Sequence, residues 1–248
     1  LGGKSPALIM KGANLDVTAR RLIWGKSLNA GQTCLAPNHL LIQDSLQDLL
    51  INKLKEKCLD FYGPEPINSP DLAQIINQNQ FSRLLNLIEK AKDKQQIILG
   101  GETNPSKLLI SPTIIKVLSF EDPLLEEEIF GPILPVLAFS DFQKTLNLIK
   151  EEPSPLAIYM FGGNYQERQL LLENTRSGGV CFNDVIMQAG IPNMPFGGVG
   201  TSGMGRYHGL SGFETFSNQR SILSRPFSLD FKLRYPPYKL STSILKNL

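Results

Sequence analysis

The sequence predicts an α/β protein built on a mainly parallel sheet flanked by helices. Two observations carry this. Short apolar runs bounded by turn residues recur along the chain, and segments with apolar residues at helical spacing lie between them. Strands that alternate with helices join in parallel, because a parallel pair needs a long crossover. Asn14 or Asp16 caps a first helix that runs to about Asn29, with Leu15, Ala19, Leu22 and Ile23 on one face; Gly31 ends it. His39–Gln43 reads as a strand. Asp44 or Ser45 then caps a second helix to about Asp60, with Leu46, Leu50, Leu54 and Cys58 facing one way. A third helix spans residues 80–92. The runs Ile97–Leu99, 135–139 and 156–161 read as buried strands, and helices over Phe142–Glu151 and 165–176 separate the later ones. Residues 185–212 turn to Gly, Pro and Met with little periodicity, a long ordered loop region where function concentrates. Residues 213–224 read as a further strand, followed by an extended tail interrupted by proline. The expected division is therefore 1–212 and 213–248, the second part a strand and an extended arm.

Composition excludes several functions. Of 248 residues, 42% are hydrophobic and 19% charged, ordinary values for a globular chain. A net charge of +2 and the lack of a dense Lys/Arg run argue against a nucleic-acid partner. No apolar run approaches the ~20 residues a membrane-spanning helix needs. Three widely spaced cysteines give neither a disulfide framework nor a metal pattern, and with His39 and His208 alone no metal site is expected. That cysteine usage suits a reducing compartment, so the expected location is cytoplasmic.

Cys34 is the most informative residue. It follows the glycine turn Asn29-Ala30-Gly31-Gln32-Thr33 and precedes Leu35-Ala36-Pro37. That setting exposes a sulfur atom on a short, stiff loop. Cys58, in an apolar helical pattern, and Cys181, in a strand, read instead as small buried hydrophobes. Gly198-Val199-Gly200-Thr201-Ser202-Gly203 matches the dinucleotide fingerprint G-x-G-x-x-G, but Pro195 precludes a leading strand and Gly205 and Gly209 disfavour a following helix. It reads as a close-packing glycine loop. His208 has no Asp or Asn context that marks an oriented base, and reads as structural.

The Cys34 stretch resembles the nucleophile segment of the aldehyde dehydrogenases, in which Gly-Gln-Thr-Cys carries the catalytic thiol. Four further runs match that family in order: Leu1-Gly2-Gly3-Lys4-Ser5-Pro6, Glu127-Glu128-Ile129-Phe130-Gly131-Pro132, Ser177-Gly178-Gly179-Val180 with Asn183-Asp184, and Pro195-Phe196-Gly197-Gly198. Gly203-Met204-Gly205, Tyr207-His208-Gly209, Phe213-Glu214-Thr215-Phe216-Ser217 and Arg234-Tyr235-Pro236-Pro237 lean to the class 3 branch, which takes fatty and aromatic aldehydes.

The resemblance implies roles. Cys34 would attack an aldehyde, with its own N–H binding the oxyanion. Glu128 would hold the nicotinamide ribose hydroxyls of NAD or NADP, with Phe130 packed beside that sugar. Gly2 and Gly3 would let backbone approach the nicotinamide, or form a plain turn. Asn183 and Phe196 would line the substrate side, or serve as a turn residue and a core residue. Glu126 and Glu127 read as a solvated turn. The resemblance implies a medium-chain, long-chain or aromatic aldehyde as substrate, and a homodimer held by the C-terminal arm. In the family the general base is a Glu directly before Leu-Gly-Gly, and an oxyanion Asn and the cofactor-binding domain lie further upstream. The expectation is thus the catalytic part of a longer enzyme, without turnover of its own. Two rivals stand beside it: a cofactor-independent thiol hydrolase using Cys34, and a silent chain that acts as an interaction module.

Overall fold

The computed structural model describes residues 2–237. Its centre is a seven-stranded sheet: β1 (Pro6–Ile9), β2 (His39–Gln43), β3 (Ile97–Leu99), β6 (Thr113–Lys116), β7 (Ile133–Phe139), β8 (Ala157–Phe161) and β9 (Gly179–Phe182). The order is β3-β6-β7-β2-β1-β8-β9, and every neighbouring pair is parallel except β3 with β6. A two-stranded ribbon, β4 (Thr103–Asn104) with β5 (Leu109–Ile110), stands apart from it.

Both faces of this sheet are covered, so its inner strands read as continuous apolar runs. Leu8, Leu41, Ile133, Leu137, Ile158 and Met160 point to one face. There they meet α3 (Gln78–Asp93), α4 (Phe142–Glu151) and α5 (Tyr165–Asn174) through Leu84, Ile88, Leu146 and Leu171. Ala7, Ile9, Leu40, Ile42, Val136 and Tyr159 point the other way, onto Leu22 and Ile23 of α1 (Leu15–Ser27) and Leu50 and Leu54 of α2 (Gln47–Tyr62). Each fully buried Leu or Ile contributes about 1.5–3 kcal/mol.

Helix starts follow local chemistry. The side chains of Asn14, Asn77, Asp141 and Asn164 accept from the backbone N–H groups of Val17, Gln80, Lys144 and Glu167. Neither Asp44 nor Ser45 caps α2; a 3-10 turn over Asp44–Leu46 leads into it instead. α1 stops at Ser27, two residues short of the sequence reading, because Asn29 and Ala30 turn left-handed.

The strand expected over 213–224 is absent. Gly209–Thr215 forms a helix, α6, and residues 217–224 carry no strand. Leu210, Phe213 and Phe216 recur at a spacing of three, a helical period that a reading begun at 213 cuts in half. α6 belongs to the first of two compact units, Leu1–Phe216; the second is Ser217–Leu248. Within the described part of the second unit the chain is mostly exposed and carries no strand or α-helix, with one 3-10 turn over Lys232–Arg234. Residues 238–248, the end of the arm read from the sequence, lie outside the described residues.

Candidate active site

The segments that lead into β1, β2, β7 and β9 carry Gly2-Gly3, Cys34, Glu128 and Ser177-Gly178. These strands are parallel, so their lead-in loops lie along one edge of the sheet, the amino edge. Asn38, 2% exposed, joins three of them: its Oδ1 accepts from Ile129 N–H at 2.9 Å and its own N–H donates to Ser5 O at 2.8 Å.

The thiol loop is a sharp reversal. Asn29, Ala30 and Gly31 are successive left-handed residues, with φ of 52°, 53° and 69°. Such a backbone costs a non-glycine residue roughly 1–2 kcal/mol. Gly31 is needed for a second reason, since a Cβ there would run into the Gly131 carbonyl. Three amide contacts hold the turn. Gln32 Nε2 donates to Asn29 O at 3.0 Å and to Gln74 O at 2.9 Å, and Gln32 Oε1 accepts from Ile76 N–H at 2.8 Å. Beyond the thiol, Leu35 O accepts from the Tyr159 hydroxyl at 2.7 Å.

Cys34 is half-buried, less open than its loop suggested. Burial pushes its thiol up, and the nearby Glu128 charge adds to this; the N–H groups of Cys34 and Leu35 work the other way by favouring the thiolate. Cys58 is buried in the core, and its thiol is pushed up to about 11. Cys181 lies on β9 as expected but is half-buried, not enclosed.

Glu128 stands against Gly2 and Gly3. A Cβ on Gly2 would lie 2.9 Å from Glu128 Oε2. Burial raises the carboxyl, while the Gly3 N–H and the Lys26 ammonium oppose the rise. Lys26, at the end of α1, is 4% exposed; burial brings its amine down to about 7 against the attraction of Glu128. Phe130, two residues after Glu128, has a left-handed backbone and is 39% exposed.

The two residues expected on the substrate side are placed differently. Phe196 is buried, with Tyr207 edge-on at 5.4 Å and His208 stacked at 5.8 Å. It also lines a cleft of about 150 Å³ with Leu156, Gly178, Gly179 and Gln188, beside the starts of β8 and β9. Asn183 follows the carboxyl end of β9, where its Oδ1 accepts from Gly162 N–H at 2.9 Å. With φ of 60° it takes the turn-forming role. Residues 198–203 contain a 3-10 turn over Gly200–Ser202, without the strand and helix of a dinucleotide fingerprint.

Among the described residues no hydrogen bond joins a histidine to Cys34. His208 Nδ1 faces Met194 O at 3.3 Å, and buried His39, at about 3, stays neutral with Phe120 edge-on. Nor do the described residues hold a cluster of three or more metal-ligating side chains. No described helix is long and apolar enough to cross a membrane.

The sequence profile of the aldehyde dehydrogenase family matches residues 1–222. The chain belongs to this family. It is 44% identical over 239 residues to aldehyde dehydrogenase family 3 member A2 of Pongo abelii, covering 96% of this chain and 48% of that protein. It is 42% identical to the dimeric NADP-preferring aldehyde dehydrogenase of Rattus norvegicus, covering 96% and 52%. A substrate-bound structure of AldH from Staphylococcus aureus superimposes with a TM-score of 0.88 at 36% identity, over 100% of this chain and 54% of that one. The chain thus spans about half the length of the curated relatives it matches. The class 3 leaning of the sequence motifs agrees with these relatives.

The sequence reading missed Lys26, Gln32, Asn38 and Tyr159 as parts of the site. Asn38 carries the one local signal, a polar residue between Pro37 and an apolar strand.

Proposed function

We propose that this chain supplies the thiol half of an NAD(P)-dependent aldehyde dehydrogenase that oxidises aldehydes to carboxylic acids. The observation that carries the reading is the placement of Cys34 and Glu128 on neighbouring loops of one sheet edge, within reach of each other's charge. Family membership supports it, as does the NADP preference in the name of the rat relative. The residues present fit a nicotinamide ribose. Glu128 offers a half-buried carboxylate, no side-chain hydrogen bond to it is formed among the described residues, and side-chain-free Gly2 lies before it.

Cys34 Sγ, as thiolate, adds to the aldehyde carbon, and the carbonyl oxygen becomes an oxyanion. The Cys34 N–H is the donor for that oxygen. When bound, the nicotinamide supplies the hydride acceptor. The acyl group then remains on Sγ as a thioester. Water cleaves it, releasing the carboxylic acid and restoring the thiol. Glu128 and Phe130 fix the cofactor sugar, and the cleft beside Phe196 takes part of the aldehyde's apolar chain. The substrate class is a medium-chain, long-chain or aromatic aldehyde. The assembly is a homodimer, supported by the word dimeric in the rat relative's name.

NAD(P)H absorbance with a series of aldehydes tests this, using the longest protein that carries the chain. Turnover that disappears in Cys34→Ala is the expected result. Turnover that survives that substitution overturns the reading.

A further inference from the structure

The thiol loop and the carboxylate loop are both fastened to the same segment. Gln32 spends its whole side-chain amide on the thiol loop's own turn and on residues 74 and 76. Those residues are themselves anchored: Ile75, between them, is 1% exposed and its N–H donates to Leu108 O at 2.8 Å. Asn77 then caps α3, so the segment passes without a break into a rigid helix. Two turns further on, Arg83 reaches back and donates through Nη2 to Ile129 O, next to Glu128. Its Nε is held by Gln80 Oε1 at 2.9 Å, which fixes the guanidinium plane. Leu84 closes over Gly131, where a Cβ would collide with it.

We propose that residues 74–83 act as one strut that sets the separation of the Cys34 and Glu128 loops, with Gln32 and Arg83 as positioning residues at its two ends. This rests on the proposed roles of Cys34 and Glu128. Hydride transfer needs reacting atoms about 3–3.5 Å apart, so a small error in that separation is costly. A second path between the loops exists. Asn38 holds Ile129 N–H, and Gly31 lies against Gly131, so the strut's share must be measured separately.

Alkylation of Cys34 by iodoacetamide in the intact protein makes that measurement, followed by peptide mapping across pH. It reads the thiol loop whether or not the protein oxidises aldehydes, so it can fail independently of the proposed activity. Arg83 makes its contact on the other loop. Arg83→Met is nevertheless expected to raise the high-pH labelling rate of Cys34 by about tenfold, the equivalent of one lost hydrogen bond. Gln32→Ala is expected to do the same, and the double variant to be no faster than Gln32→Ala alone. Arg83→Lys and Gln32→Asn serve if the larger changes prevent folding. Buried Cys58 reports unfolding in the same digest, and it is expected to stay unlabelled. Additive effects of the two substitutions, no effect of Arg83, or parallel labelling of Cys58 would each overturn the strut.

Discussion

Gly2 and the Glu128 carboxylate are in such close register that a single added methyl at residue 2 would lie 2.9 Å from Oε2. The backbone at Gly2 has φ of 151°, a region that side chains rarely adopt. Its carbonyl is engaged as well, accepting from Leu156 N–H at 3.1 Å. Gly2→Ala therefore meets two costs. Backbone strain of this kind is worth about 1–3 kcal/mol, to be read from denaturant unfolding. The carboxylate must also swing aside, so KM for the dinucleotide is expected to rise more than KM for the aldehyde. An unchanged cofactor KM would show that Glu128 does not hold the cofactor from this position.

Glu128→Gln keeps the shape and removes the charge. If Glu128 holds the ribose, hydride transfer is impaired while thioester hydrolysis is spared. Esterase turnover, which bypasses hydride transfer, is expected to survive much better than dehydrogenase turnover. Equal loss of both would remove the assigned role.

The three thiols are expected to label in order. Burial raises all of them, but Cys34 alone has two backbone N–H groups, its own and that of Leu35, favouring its thiolate. Iodoacetamide near pH 8 should modify Cys34 first, half-buried Cys181 next and Cys58 last. Preferential modification of Cys58 or Cys181 would contradict this.

The site was legible where one stretch of sequence makes one structural feature. Each of four motif runs leads into a parallel strand, so short, specific strings marked the loops that meet at the sheet edge. What holds those loops together was not legible. Asn38 finds its partner 91 residues away and Gln32 finds Ile76 44 residues away, and neither pairing leaves a local pattern. Lys26 has helical neighbours that give no hint of its burial beside Glu128. Strand β1 was hidden for another reason: Pro6–Ile9 is four residues long, too short to show a period before α1 begins. The turn at Asn183 was legible from local chemistry, since an Asn tolerates the left-handed backbone and its Oδ1 accepts from the Gly162 N–H.

Lys26 gives the chain a pH-dependent stability whose sign can be worked out. Its amine lies at about 7 in the fold, below its ordinary value of 10.5, because burial disfavours the charged form. Between those two values the unfolded chain binds the proton and the folded chain does not. Stability contributed by this residue therefore rises with pH from about 7 to 10.5. Below pH 7 both states are charged, and the fold bears the full cost of a buried ammonium. Each unit of displacement is worth about 1.4 kcal/mol, so the cost amounts to several kcal/mol on the acid side. Lys26→Met removes the charge and keeps most of the volume. It is expected to raise the unfolding midpoint most at pH 6, less at pH 9, and hardly at all near pH 10.5. The same change deprives Glu128 of the ammonium that opposes its upward shift, so the Glu128 carboxyl is expected to rise further. Urea unfolding at several pH values measures the first effect. A gain that is equal at all pH values would show that the Lys26 amine is not displaced by folding, and a loss largest at pH 6 that the folded protein prefers it charged, with the ammonium compensated by Glu128.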